Sequence, residues 1–263
     1  MRLAPVLALA AVAVGCGSSE DPERAEVRAY LERVNAVQKG QTEGLERANT
    51  VLRGYAQGKP VGAPALEGII GDITRARGAV AAVKPPAKAR DVHASLLRIY
   101  DVDAELAEET LRMVRYQEAA PRALAPLDRA SVRLRRDLDR ARLSSTQARA
   151  LSRFAGTVDR SHERLDALDV PALLAPAHKA QLARLESTRL LSRKLRTAVA
   201  ERDSKRVAKL LLRFRRSARS QTSERALTKR GLAAYTTRLD ELTTAQVEFG
   251  RAQARLNRSL RST

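Results

Sequence analysis

The sequence of 263 residues has very few of the residues that build disulfides, aromatic stacks or catalytic centres. It contains one cysteine, no tryptophan, three phenylalanines, five tyrosines and three histidines. A single cysteine excludes a disulfide within the chain, and so few aromatic side chains argue against a surface that stacks nucleobases. The sequence also has no glycine-rich phosphate loop and no zinc-protease spacing. We therefore expect a protein that is not an enzyme, needs no cofactor and binds no nucleic acid.

The one cysteine lies between an apolar N-terminal run and a polar segment. Arg2 precedes an apolar run that ends at Gly15, and Cys16 follows directly. A helix that spans a bilayer needs about 20 apolar residues, so this shorter run indicates a secretory signal peptide over 1–15. Residues 16–21 are small or polar and predict a short tether. An ordinary secretory signal with a cysteine near its end by chance is the alternative.

The four residues Ala13-Val14-Gly15-Cys16 resemble the lipobox of bacterial lipoproteins, in which the cysteine is diacylated and becomes the first residue after cleavage. Ala13 stands where leucine is commoner. The resemblance implies that Cys16 carries the lipid and that the mature chain is anchored to the cell membrane on its extracytoplasmic face. The Ala and Arg usage of the rest of the chain is similar to that of the small helical lipoproteins of high-GC Gram-positive bacteria.

Residues 22–263 are rich in helix-forming Ala, Leu and Arg, and no stretch alternates with the two-residue period of a strand. Apolar residues recur at spacings of three and four, which predicts helices packed side by side. We expect an all-α fold, an elongated antiparallel helical bundle with coiled-coil-like helices, forming one domain over 22–263. The spacing also predicts an unbroken helix over 27–55, a helix end before Pro121, a helix start at Ser144 and a helix capped by Asp203 or Ser204.

Two segments of the chain predict an internal duplication of a helical hairpin. Residues 65–97 align without a gap over 150–182, at an offset of 85, and the alignment pairs Pro86 with Pro171 and His93 with His178. Shared apolar positions and a shared helix breaker favour duplication, with repeat units of about 63–147 and 148–232. The alternative is that two amphipathic hairpins are alike because all amphipathic helices are alike.

Positive charge is concentrated in one part of the chain. Residues 121–230 hold 28 Lys and Arg against 11 Asp and Glu, whereas residues 20–120 hold 15 against 16. Within the basic region, the helix predicted over 204–220 carries four basic residues on one face: Arg206, Lys209, Arg213 and Arg216. This face is a candidate surface for anionic lipid or cell-wall polymer. The alternative is a bundle helix whose basic face is simply solvated.

His93 and His178 are the sharpest candidates for a ligand site, because duplication gives two equivalent imidazoles that could hold a metal or haem. Further ligands are not found in the sequence, so they remain weak candidates beside a structural role as histidines bonded to the neighbouring loop. An acidic stretch over 101–109 either offsets part of the positive charge or faces a cation.

Together these features predict a lipid-anchored cell-envelope protein that binds or scaffolds. Its partners would be the membrane, through the N-terminal lipid, and an anionic lipid or wall polymer that faces residues 121–230. The alternatives are a helical module that docks a protein partner, and a binder of a small ligand or metal that uses the duplicated histidines.

Overall fold

The computed structural model describes residues 21–56, 59–218 and 222–261. The predicted signal peptide over 1–15 and the predicted lipidated Cys16 lie outside the described residues. Within them the chain is all-α and contains no strand, and its long helices pack against one another as a helical bundle. The α-helices are α1 (Pro22–Gly40), α2 (Thr42–Ala56), α3 (Ala63–Ala81), α4 (Arg90–Arg140), α5 (Ser144–Asp166), α6 (Ala175–Ala200), α7 (Ser204–Ala218) and α8 (Thr222–Arg261).

The described helices group into two compact units. Unit 1 comprises the described residues of 21–114 and 236–261, and unit 2 comprises the described residues of 115–235. Helices α4 and α8 each contribute residues to both units.

The core of unit 1 is formed by apolar side chains from α1, α3, the first part of α4 and the last part of α8. Its largest fully buried side chains include Tyr30, Leu66, Ile73, Leu96 and Phe249. The chain enters α1 through Asp21, whose side chain accepts a hydrogen bond from the Glu23 amide at 3.1 Å and so caps the helix.

Unit 2 has a core built from the second part of α4 together with α5, α6 and α7. One buried cluster includes Phe154, Val158, Leu165 and Leu185. A second cluster joins α5, α6 and α7 through Leu151, Leu195, Ala198 and Leu210. Leu134 of α4 packs against both clusters, so α4 lies along the same core.

Two predicted helix boundaries are wrong. The helix predicted over 27–55 is interrupted at Gln41, because Gly40 disfavours helix and the Gln41 amide bonds back to Gln38 and Lys39. The break predicted before Pro121 is absent, and α4 runs through Pro121 and Pro126. A proline inside a helix removes one backbone hydrogen bond, but the carbonyls that lose their donors belong to the exposed residues Gln117 and Arg122 and can face water.

Other predicted boundaries are confirmed. Helix α5 begins at Ser144. Helix α7 begins at Ser204, where the Asp203 side chain accepts a hydrogen bond from the Arg206 amide at 2.9 Å. No helix among the described residues is long and apolar enough to cross a bilayer.

Two helical hairpins share one register. We call α3 with residues 90–114 of α4 hairpin 1, and α5 with α6 hairpin 2. Helices α3 and α5 end 85 residues apart, and α4 and α6 begin 85 residues apart. The buried residues of α3 match buried residues of α5 at this offset, with Leu66, Ile69, Ile73, Ala76 and Val80 against Leu151, Phe154, Val158, Ser161 and Leu165. The buried residues of α6 match buried residues of α4, with His178, Leu185, Ser192, Leu195 and Ala198 against His93, Tyr100, Ala107, Thr110 and Met113.

Candidate functional site

The basic face predicted on α7 lies partly within the described residues. Arg206, Lys209 and Arg213 are exposed, while the side chain of Arg216 lies outside the described part. Leu210, one turn from both Arg206 and Arg213, is buried in the core of unit 2, so the basic face borders the buried side of the helix. Arg206 pairs with Glu201 at 3.0 Å, so part of its charge is neutralised.

A groove between α4 and α5 gathers more positive charge than the α7 face. It encloses about 320 Å³ and lies wholly within unit 2. Five arginines line it, two from α4 and three from α5, namely Arg129, Arg133, Arg153, Arg160 and Arg164. Leu134 and Phe154 contribute an apolar floor. The groove therefore combines a cationic rim with an apolar base.

The arginines of the groove differ in how far they are neutralised. Asp137 is the one carboxylate in the lining, and it pairs with Arg153 at 2.9 Å. Arg160 donates a hydrogen bond to the Thr157 hydroxyl at 3.2 Å. The three others, Arg129, Arg133 and Arg164, are exposed and make no hydrogen bond or ion pair with any residue that the structure describes. Their guanidinium groups are available to an anion.

Ser161 adds a buried hydroxyl to the lining of the groove. The residue is 1 % exposed, and its Oγ has no hydrogen-bond partner among the described residues. Ser192 shows the usual alternative on a neighbouring helix, because its hydroxyl donates to the Thr188 carbonyl at 2.8 Å. A buried hydroxyl without a partner costs about 1 to 3 kcal/mol. Ser161 is thus a donor for which the described residues supply no acceptor.

His93 and His178 occupy equivalent positions in the two hairpins, and each is bonded to a tyrosine. The Tyr30 hydroxyl and His93 Nδ1 are hydrogen-bonded at 3.0 Å, as are the Tyr116 hydroxyl and His178 Nδ1. The rings meet edge to face, with centroids 6.0 Å and 5.7 Å apart. The expected partner in the neighbouring loop is therefore replaced by a tyrosine on another helix.

The tyrosine and histidine groups stay neutral at physiological pH. Burial raises the pKa of Tyr30 to about 12 and raises that of Tyr116. Burial lowers the pKa of His93. It also lowers the pKa of His178, although the charge of Asp166 acts in the opposite direction. A neutral pair held by one hydrogen bond suits a packing role.

The described residues contain no group of three or more His, Cys, Asp and Glu side chains that could hold a metal ion. The acidic stretch over 101–109 is partly paired within unit 1. Asp101 pairs with Arg77 at 2.5 Å, and Glu109 pairs with Arg112 at 2.8 Å. Burial raises the pKa of Asp103 to about 7.

Neither the groove nor the tyrosine partners of the two histidines were predicted from the sequence. Arg153, Arg160 and Arg164 follow a spacing of seven and four that places them on one face of a helix, as do Arg129 and Arg133 at a spacing of four. The spacing predicts each row of arginines from the sequence. Only the packing of α4 against α5 brings the two rows together along one groove.

No family model, no curated protein and no solved structure matches the chain.

Proposed function

We propose that this protein is a lipid-anchored protein of the cell envelope that binds, without catalysis, the anionic surface of the membrane that holds it. The observation that supports this proposal most strongly is the groove between α4 and α5, where arginines from two helices surround an apolar floor. The lipid on Cys16 supplies retention, and unit 2 supplies the contact with the surface.

The charge of unit 2 favours this partner. Residues 115–235 contain 29 Lys and Arg against 12 Asp and Glu, whereas the rest of the chain contains 20 against 18. Each Lys or Arg held near an anionic membrane contributes about 1 kcal/mol, and the attraction decays within a Debye length of about 8 Å at physiological ionic strength. Because the diacyl lipid already retains the chain at the membrane, the attraction of the basic unit would instead set the orientation of the protein relative to the membrane surface.

Exposed apolar side chains accompany the basic residues of unit 2. Val132 of α4 is 71 % exposed and lies on the same surface as Arg129, Arg133 and Arg136. Leu212 of α7 is 58 % exposed and precedes Arg213. Apolar side chains flanked by cationic ones are typical of protein surfaces that enter the headgroup layer of a membrane. This combination favours a membrane over a purely hydrophilic wall polymer.

Vesicle sedimentation tests the proposal. The chain from Gly17 onward should sediment with vesicles that contain anionic lipid at low salt, should be released as salt rises, and should stay in solution with neutral vesicles. Binding that is equal on neutral vesicles, or that ignores salt, would contradict the proposal. Sedimentation with an anionic wall polymer but not with anionic vesicles would replace the membrane by the polymer as the partner.

The basic face predicted on α7 needs its own variant. Changing Arg206, Lys209, Arg213 and Arg216 together to Gln should weaken vesicle binding more than changing Arg28, Arg33, Lys39 and Arg47 to Gln, because only the first set lies in the basic unit. Equal weakening by the two sets would mean that the α7 face is a solvated bundle surface.

A further inference from the structure

We propose that the groove between α4 and α5 is a specific site for the phosphate headgroup of one anionic phospholipid, held by Arg129, Arg133 and Arg164 and by the hydroxyl of Ser161. The inference rests on the proposed function and narrows it from a general attraction to a defined site with one occupant.

The state of the arginines favours a phosphate. Guanidinium groups present two parallel N–H donors that match two phosphate oxygens, so arginine is the residue that best recognises this group. Arg153 already pairs with Asp137, and Arg160 is held by Thr157. The three remaining arginines are exposed and without a partner among the described residues, which leaves a net positive lining that an anion would neutralise.

The hydroxyl of Ser161 points to the same ligand. It is a buried donor without an acceptor in the described part of the chain, and the other polar side chains that line the groove are mostly donors. A phosphate oxygen would accept its hydrogen bond and remove the cost of leaving it unpaired.

The floor of the groove favours a lipid over a soluble phosphate. Leu134 and Phe154 form a base that a sugar phosphate or inorganic phosphate would leave unused. A volume of about 320 Å³ lies at the lower end of the range for small-molecule sites, which suits a headgroup better than a whole lipid. The first methylene groups of the acyl chains would cover the apolar floor, and the rest of the chains would leave the groove toward the membrane.

Hairpin 1 lacks this site although it shares the register of hairpin 2. The offset of 85 pairs Arg153 with Gly68, Ser161 with Ala76 and Arg164 with Ala79. Thr157 corresponds to Asp72, which binds Arg47 and Arg75 in unit 1. Hairpin 1 therefore lacks two of the three groove arginines of α5 and the Ser161 hydroxyl, and its remaining arginine, Arg75 in place of Arg160, pairs with Asp72.

Native mass spectrometry of the full chain in neutral detergent tests the site. The chain should retain one phosphatidylglycerol molecule at lipid concentrations that leave phosphatidylcholine unbound. The variant with Arg129, Arg133 and Arg164 changed to Gln should lose affinity about tenfold or more, and Ser161→Ala should lose affinity by a smaller factor. The matched control changes Arg135, Arg142 and Arg196 to Gln, which removes the same charge from exposed positions of unit 2 outside the groove, and it should retain the lipid.

Three results would overturn the inference. One is retention of several phosphatidylglycerol molecules with no preferred stoichiometry, and another is an equal loss in the control variant. The third is displacement of the lipid by glycerol phosphate at matched concentration, which would show that the apolar floor plays no part. Vesicle binding that survives in the groove variant while the single lipid is lost supports a specific site beside a general attraction. Loss of salt-dependent vesicle binding in the unaltered chain would instead overturn the proposed function.

Discussion

Hairpin 1 and hairpin 2 keep the same buried positions and differ on their surfaces. At an offset of 85 each buried residue of α3 has a buried partner in α5, and both hairpins place a histidine against a tyrosine. The exposed positions differ in part, because the groove residues Arg153 and Arg164 of α5 correspond to Gly68 and Ala79 of α3, whereas Arg160 corresponds to another arginine, Arg75. The shared register of buried positions agrees with the predicted duplication of one hairpin, and the positions that differ are where a difference in function is to be sought.

The largest effect is expected from breaking the shared core at one matched pair. Leu66 and Leu151 are almost fully buried and occupy the same place in the two hairpins. Truncation of either to Ala should lower the free energy of unfolding by about 2 to 5 kcal/mol, because it removes buried apolar contacts and leaves a cavity. Urea denaturation measures the loss. A cost under about 1 kcal/mol for either residue would show that the two positions are not equivalent in packing.

The next effect concerns the tyrosine that contacts each histidine. Tyr30→Phe and Tyr116→Phe remove one hydroxyl and leave the imidazole nitrogen unpaired, which should cost about 1 to 3 kcal/mol of unfolding free energy. Tyr30 is fully buried whereas Tyr116 is only partly so, and we expect the larger loss at Tyr30. Thermal and urea unfolding of the two variants decide the order. Equal and negligible losses would mean that the hydrogen bonds do not contribute.

A smaller effect should distinguish a binding position from a packing position. Ser161→Ala removes a buried hydroxyl without a partner and should stabilise the protein by about 1 kcal/mol. The reverse change at the matched position, Ala76→Ser, should destabilise it by about the same amount. Differential scanning calorimetry without lipid measures both. Destabilisation by Ser161→Ala would show that the hydroxyl has a stabilising partner and is not held ready for a ligand.

The smallest effect is a dependence of stability on pH. Burial lowers the pKa of His178 from its ordinary value of 6.5, so the unfolded chain binds more protons than the folded chain as pH falls through that value. The contribution of His178 to the stability of the folded chain is therefore greatest above pH 6.5 and decreases as the pH falls below that value. Asp103, with a pKa raised to about 7, changes stability in the opposite direction, so the test is the difference between the unaltered chain and His178→Gln. The free energy of unfolding of the unaltered chain should exceed that of the variant by less at pH 5.5 than at pH 7.5, or should fall below it. A difference in unfolding free energy that does not change with pH would contradict a lowered pKa of His178.

The sequence could predict the features that depend on local spacing. The helix at Ser144, the cap at Asp203 and the buried positions of hairpin 1 follow from residue type and apolar periodicity. The break at Pro121 was expected on the same local grounds, but α4 continues because Gln117, whose carbonyl loses its donor, is exposed, and because Ala123, two residues after Pro121, packs into the core.

Features that depend on which helices meet could not be read from local spacing. Tyr116 reaches His178 across 62 residues of chain. The groove exists because the row of Arg129 and Arg133 on α4 comes to lie beside the arginines of α5. The periodicity of each row is visible in the sequence, whereas their juxtaposition is a property of the packed unit.

Arginine labelling with phenylglyoxal, in the presence and absence of anionic vesicles, compares the two units most directly. Peptide mass spectrometry should show that vesicles protect Arg129, Arg133 and Arg164 of unit 2 at low salt and that high salt restores their labelling. Exposed arginines of unit 1, such as Arg98 and Arg251, should be labelled equally with and without vesicles. Equal protection of the two sets, or protection confined to unit 1, would contradict the claim that unit 2 alone contacts the anionic surface.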